Sequence, residues 1–135
     1  MEDLKTLEDD GMCYACGKNN EKGLHLEFSF YEQEKRVETT FVPLNAHQGW
    51  QGVVHGGIIA TLMDEAMAKL AQFLGYRVLT ASLDVRFKDV AKTGDLLHVR
   101  AEVAKLSKKI IYAKAVTSRG NGSVVADAHS RLMVF

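Results

Sequence analysis

The sequence holds one proline in 135 residues, which leaves no room for Pro-rich linkers or recognition tracts. It holds two cysteines, too few for the disulfide framework of a small secreted domain, so free thiols are expected. Net charge is missing as well: 17 basic residues balance 17 acidic ones. That removes the basic footprint of a nucleic-acid surface. No block of like charge marks a membrane-surface segment or a solvated tail. A chain near zero charge is prone to self-association. No apolar run approaches the roughly 18 residues of a membrane span. The opening MEDLKTLEDDG is acidic and lacks the basic-then-apolar order of a signal peptide, so a cytoplasmic location is expected.

What is present suits one globular domain: 47% hydrophobic and 25% charged residues, with no internal repeat. Residues 1–22 read as an irregular segment, acidic and then rich in Gly and Asn, and they carry the CxxC of Cys13 and Cys16. Residues 23–135 read as a single domain. In LHLEFSFY, Leu24, Leu26, Phe28 and Phe30 share one face of a half-buried strand, and RVETTFV repeats the alternation. One long helix follows over 57–74. After it come four more alternating stretches: LTASLDVRFK, DLLHVRAEVAKL, KIIYAKAVT and SVVADAHSRLMVF, the last two joined by a hairpin turn at SRGNG. Two strands, one helix and a meander predict an α+β fold with an antiparallel sheet of about five to six strands.

At 100° per residue, Ile59, Leu62, Met63, Ala66, Met67 and Leu70 fall within an arc of about half the helix or more, so the sheet should wrap the helix. Thr61, Glu65, Lys69 and Gln72 face the other way, and Glu65–Lys69 reads as a solvated i, i+4 pair. Asp64 sits at the edge of the arc beside Ala60 and Ala68, where small side chains let a ligand or another chain approach. Aspartate is a poor helix-interior residue. Just before the helix, HGG (His55, Gly56, Gly57) places a tight turn against the unpaired amides of a helix start, a place that can hold developing negative charge. Gly57 and Asp64 lie roughly 10 Å apart along the axis at 1.5 Å per residue. One chain's donor and acid are too distant for one small reacting centre, which points to a site shared between two antiparallel copies.

The stretch GVVHGGIIATLMDEAM, preceded by HQGW and followed by LTASLDVRFK, resembles the PaaI-like acyl-CoA thioesterases of the hotdog-fold superfamily. The HGGxxxxLxD pattern of that family falls on His55, Gly56, Gly57, Leu62 and Asp64, and CYACGKNNEKGLHLEF resembles the opening of many bacterial members. The resemblance implies an antiparallel sheet wrapped around one central helix. It implies hydrolysis of an aryl- or medium-chain acyl-CoA, with Asp64 as general base or nucleophile, the Gly57 amide as oxyanion donor and His55 orienting the thioester or the loop. Substrate contacts would come from Gly56, from Thr80 or Ser82 on the strand after the helix, and from Arg86, Lys88 or Lys92 near the CoA phosphates. Thr80 and Ser82 alternate onto the polar face, away from Ala81, Leu83, Val85 and Phe87. A side-chain amide expected six residues before the histidine is replaced by Gly49, leaving Gln48 as the nearest substitute. The family implies a homodimer or homotetramer with sites at the subunit interface, no nucleic-acid or membrane partner, and neither metal nor organic cofactor.

Two rival readings follow from the same residues. A hotdog enoyl-CoA hydratase or dehydratase would place a histidine shortly after the acid, but none follows Asp64 until His98. A non-catalytic acyl-CoA binding module would not need an acid at the helix edge. Cys13 and Cys16 lack the second pair of a four-ligand zinc site, although His25 could supply a third ligand, so a loop with two packed thiols is expected. Trp50 either lines an acyl pocket or anchors its loop.

Overall fold

The computed structural model describes residues 6–135. Six strands form one antiparallel sheet around one long helix: β1 (Ser29–Tyr31), β2 (Arg36–Phe41), α1 (Gly56–Phe73), β3 (Val78–Phe87), β4 (Leu97–Leu106), β5 (Ile110–Arg119) and β6 (Val124–Val134). The spatial order is β1-β2-β4-β5-β6-β3. After the helix the chain therefore runs to the far edge of the sheet, and the meander fills the middle. This is the expected α+β, hotdog-type architecture.

Alternation decides which residues meet the helix. Leu97, Val99 and Ala101 of β4, Ile111, Ala113 and Ala115 of β5, and Ala126, Ala128 and Leu132 of β6 are buried together with Ile59, Leu62, Met63, Ala66, Met67 and Leu70 of α1. The small alanines let the strands approach the methionines and leucines of the helix closely. α1 touches every strand from β2 to β6, so the sheet wraps it. One polar contact crosses this core, from Ser130 Oγ to Met67 Sδ at 3.2 Å. Thr117 Oγ1 is buried with no hydrogen-bond partner among the described residues.

Three register shifts bend the sheet, at Thr80/Ser82, Val103/Lys105 and Thr117/Ser118. The first overturns an expectation. With Ala81 as the extra residue, Thr80 stands opposite Leu132 and faces the helix, while Ser82 stands opposite Arg131 and faces outward. The two share no face. Leu83, Val85 and Phe87 do face the helix side, opposite Ser130, Ala128 and Ala126.

The first expected strand is cut short. Leu24 and Leu26 are buried, but His25 has φ +53°, which breaks the extended run, and regular pairing starts only at Ser29. The cysteine loop continues into the same core: Ala15 is buried, and Tyr14 and Ala15 carbonyls accept from the Leu24 and Leu26 amides at 2.8 and 2.9 Å.

Candidate active site

The HGG turn is built from the loop before it. The His55 amide donates to the His47 carbonyl at 2.9 Å, and the Val54 amide to the Ala91 carbonyl at 2.9 Å. Gln48 pairs with Val54, and its side-chain oxygen accepts from the Gly52 amide at 3.0 Å. Gln48 thus holds the loop shut. Trp50 sits at the loop tip, 86% exposed. Gly49, Trp50, Val53, Val54, His55 and Gly56 line a concavity of about 460 Å³ at the helix start.

His55 is the N-cap of α1. Its Nδ1 accepts from the Gly57 amide at 2.9 Å. The amide of Gly57, expected as the oxyanion donor, is thus engaged by its own cap. Among the described residues the Gly56 amide has no hydrogen-bond partner, so the unpaired donor lies one residue earlier. Both glycines lie tight against neighbouring side chains. A Cβ on Gly57 would meet His55 Nδ1 at 3.0 Å, and one on Gly56 would meet the Phe87 ring at 3.3 Å. The Phe87 ring against the turn was invisible in the sequence, because β3 and α1 meet only through the fold.

Asp64 lies two turns along the helix, half-buried, and its Oδ1 accepts from Thr80 Oγ1 at 2.8 Å. The bulge at Ala81 aims Thr80 at the acid. Ser82 and Arg86 are exposed on the outward face of β3, and Arg86 stands opposite Asp127, which pairs with Lys88 at 3.4 Å. The structure thus joins Thr80 to Asp64 and His55 to Gly57, and leaves Ser82 and Arg86 apart from both pairs.

Glu65 does not pair with Lys69. Lys69 Nζ donates to Gln72 Oε1 at 3.3 Å, and the Glu65 carboxylate turns to the cysteine loop, with Oε2 3.9 Å from Cys13 Sγ. Burial, then the hydrogen bond and negative charge of Glu65, push the Cys16 thiol up to about 12, so it stays protonated. His25, the third ligand considered for these thiols, lies against the Asn20 carbonyl at 2.5 Å instead.

The chain matches the thioesterase superfamily over residues 51–126, more than half its length and including the HGG turn, α1 and Thr80. It belongs to that family. Among curated relatives it is 31% identical to the acyl-coenzyme A thioesterase THEM5 of Mus musculus over 106 residues, 78% of this chain and 43% of the relative. The chain spans about half the length of the curated relatives it matches. Solved thioesterase structures share the fold. One is a hypothetical thioesterase of Streptococcus pneumoniae with coenzyme A (TM-score 0.76, 20% identity, 82% of this chain and 85% of that one). Variants of that protein with an aspartate-to-alanine or a threonine-to-alanine change are also solved. Another is the E. coli PaaI protein of the phenylacetic acid degradation operon (TM-score 0.77, 18% identity, 83% and 80%).

Proposed function

We propose that this chain hydrolyses acyl-CoA thioesters to a free acid and CoA. The observation that carries the reading is the Thr80–Asp64 hydrogen bond two turns from an unpaired amide at the HGG turn. Thr80 occupies Oδ1, which leaves Oδ2 to take a proton from water or to attack the carbonyl itself. The Gly56 N–H, pointing out of a helix start, polarises the thioester oxygen and holds the oxyanion. In the first route the water oxygen bonds to the carbonyl carbon, the C–S bond breaks, and CoA leaves as the thiolate and takes up the proton; in the second, Oδ2 forms a mixed anhydride as the thiolate leaves, and a water then hydrolyses it to the free acid and restores Asp64. His55 keeps the turn in shape through its cap on Gly57. The aspartate and threonine changed in the pneumococcal neighbour have the same separation along the chain as Asp64 and Thr80.

Gly56 and Asp64 of one chain stand about 12 Å apart along the axis at 1.5 Å per residue, so one copy offers two half-sites. β3 supports pairing between copies. It is a ten-residue edge strand without proline, and Leu79, Leu83 and Phe87 on it are exposed. Such an edge is a template for another chain. Two copies joined there would bring the Gly56 amide of one towards the Asp64 of its partner. The concavity beside Trp50 suits an aryl- or medium-chain acyl group, and exposed Arg86 and Lys92 are available to CoA phosphates.

The test is release of free thiol from a panel of aryl-, short- and medium-chain acyl-CoA esters. Turnover of at least one ester above the uncatalysed rate supports the reading. Background rates on every ester reject it.

A further inference from the structure

On the helix face turned away from the main core, a second cluster of reactive side chains forms where the N-terminal loop meets α1. Cys13, Cys16 and Glu65 each bring one ligand atom into a group whose members lie within 4.8 Å of one another, all half-buried. The loop is wound so that both sulfurs serve this point. The Gly17 amide donates to the Cys13 carbonyl at 2.8 Å. A Cβ on Gly17 would sit 2.4 Å from the Gly11 carbonyl oxygen and 2.5 Å from the Cys13 nitrogen, so the turn closes only because glycine follows the second cysteine. The Tyr14 and Ala15 carbonyls tie the residues between the cysteines to Leu24 and Leu26.

We propose that Cys13, Cys16 and Glu65 bind a soft divalent cation of the zinc class, one per chain, with water as the fourth ligand. The donor set is two sulfurs and one carboxylate oxygen, which a borderline-soft tetrahedral cation accepts. Metal–sulfur and metal–oxygen bonds of about 2.3 and 2.1 Å at a tetrahedral angle require sulfur and oxygen roughly 3.6 Å apart. Cys13 Sγ and Glu65 Oε2 are 3.9 Å apart, within a few tenths of an ångström of that spacing, and all three donor atoms lie within 4.8 Å of one another, so the Cys13–Cys16 loop closes by up to about 1 Å around the cation. Binding displaces one proton from each thiol. The bound cation would leave one net negative charge among the ligands, with Lys69 one helical turn beyond Glu65. It would pin the N-terminal loop to α1 next to Asp64 without touching the acid, since successive helix positions point about 100° apart.

The experiment uses the full chain, reduced with a phosphine, freed of metal by a chelator and titrated with Co²⁺ and then Zn²⁺. The expected result is one Co²⁺ per chain by native mass spectrometry, a thiolate-to-cobalt charge-transfer band in the near ultraviolet, displacement by Zn²⁺, and a Tm raised by several degrees. Cys13→Ser and Cys16→Ser should each abolish the band. Glu65→Gln should weaken binding about tenfold or more while the metal-free Tm holds, which separates ligation from folding. The proposal is overturned if the reduced chain takes up no cobalt. It is also overturned if the band survives in the cysteine variants. Thiol release from acyl-CoA plays no part in these readouts, so this site and the hydrolytic reading stand or fall separately.

Discussion

At the scale of single residues, the motif was legible in the sequence and its internal wiring was not. HGGxxxxLxD marked His55, Gly56, Gly57 and Asp64, but spacing carries no record of which amide is already bonded. That depends on the His55 ring folding back over Gly57 as an N-cap, a side-chain geometry that no periodicity encodes. The cap leads to a stability prediction. His55→Ala removes one bond to a helix start and should cost about 1 kcal/mol, read from urea unfolding. His55→Asn, a good N-cap, should restore most of it. In the proposed mechanism Thr80, hydrogen-bonded to Asp64, acts through it as a positioning residue. Thr80→Val removes a charge-assisted hydrogen bond and should lower kcat by about tenfold, whereas Thr80→Ser keeps the hydroxyl and should recover most of the rate. Equal loss in both variants would show that the threonine acts through packing alone.

At the scale of elements, alternation placed five strands and the helix within a few residues, because one buried face imposes a period of two on a strand and 3.6 on a helix. It failed where the chain departs from regularity. A bulge adds one residue and reverses every later face, so Thr80 and Ser82, two apart, point to opposite sides. His25 in the left-handed region ends the first strand before it begins in earnest. Glu65 was read as half of a solvated pair because helix geometry alone cannot see the loop that packs over it. Among the described residues, the Thr117 hydroxyl is fully buried and unpaired beside the β5 irregularity. A buried hydroxyl without a partner is unfavourable by about 1–3 kcal/mol, so Thr117→Val should raise unfolding free energy by about 1 kcal/mol. A loss of stability would mean that the hydroxyl is satisfied in solution. At the core, Leu62→Ala opens a cavity under the wrapped sheet and should cost about 2–5 kcal/mol.

At the scale of the whole molecule, fold and family were legible together, since two strands, one helix and a meander leave few other ways to bury the helix. Assembly was only implied. The ten-residue edge strand β3, with Leu79, Leu83 and Phe87 exposed, and the two half-sites proposed per chain give that implication a physical basis. Sedimentation should show a dimer or tetramer at micromolar concentration, and Leu83→Lys should shift it towards monomer with loss of thiol release. A stable, active monomer would remove the shared site. The central claim rests on one carboxylate. Asp64→Asn keeps the size and the contact to Thr80 but cannot act as a base or a carboxylate nucleophile. On the best acyl-CoA ester, with Tm confirming the fold, kcat/KM for free-thiol release should fall by about 100-fold or more. An unchanged kcat/KM in folded Asp64→Asn would contradict the account.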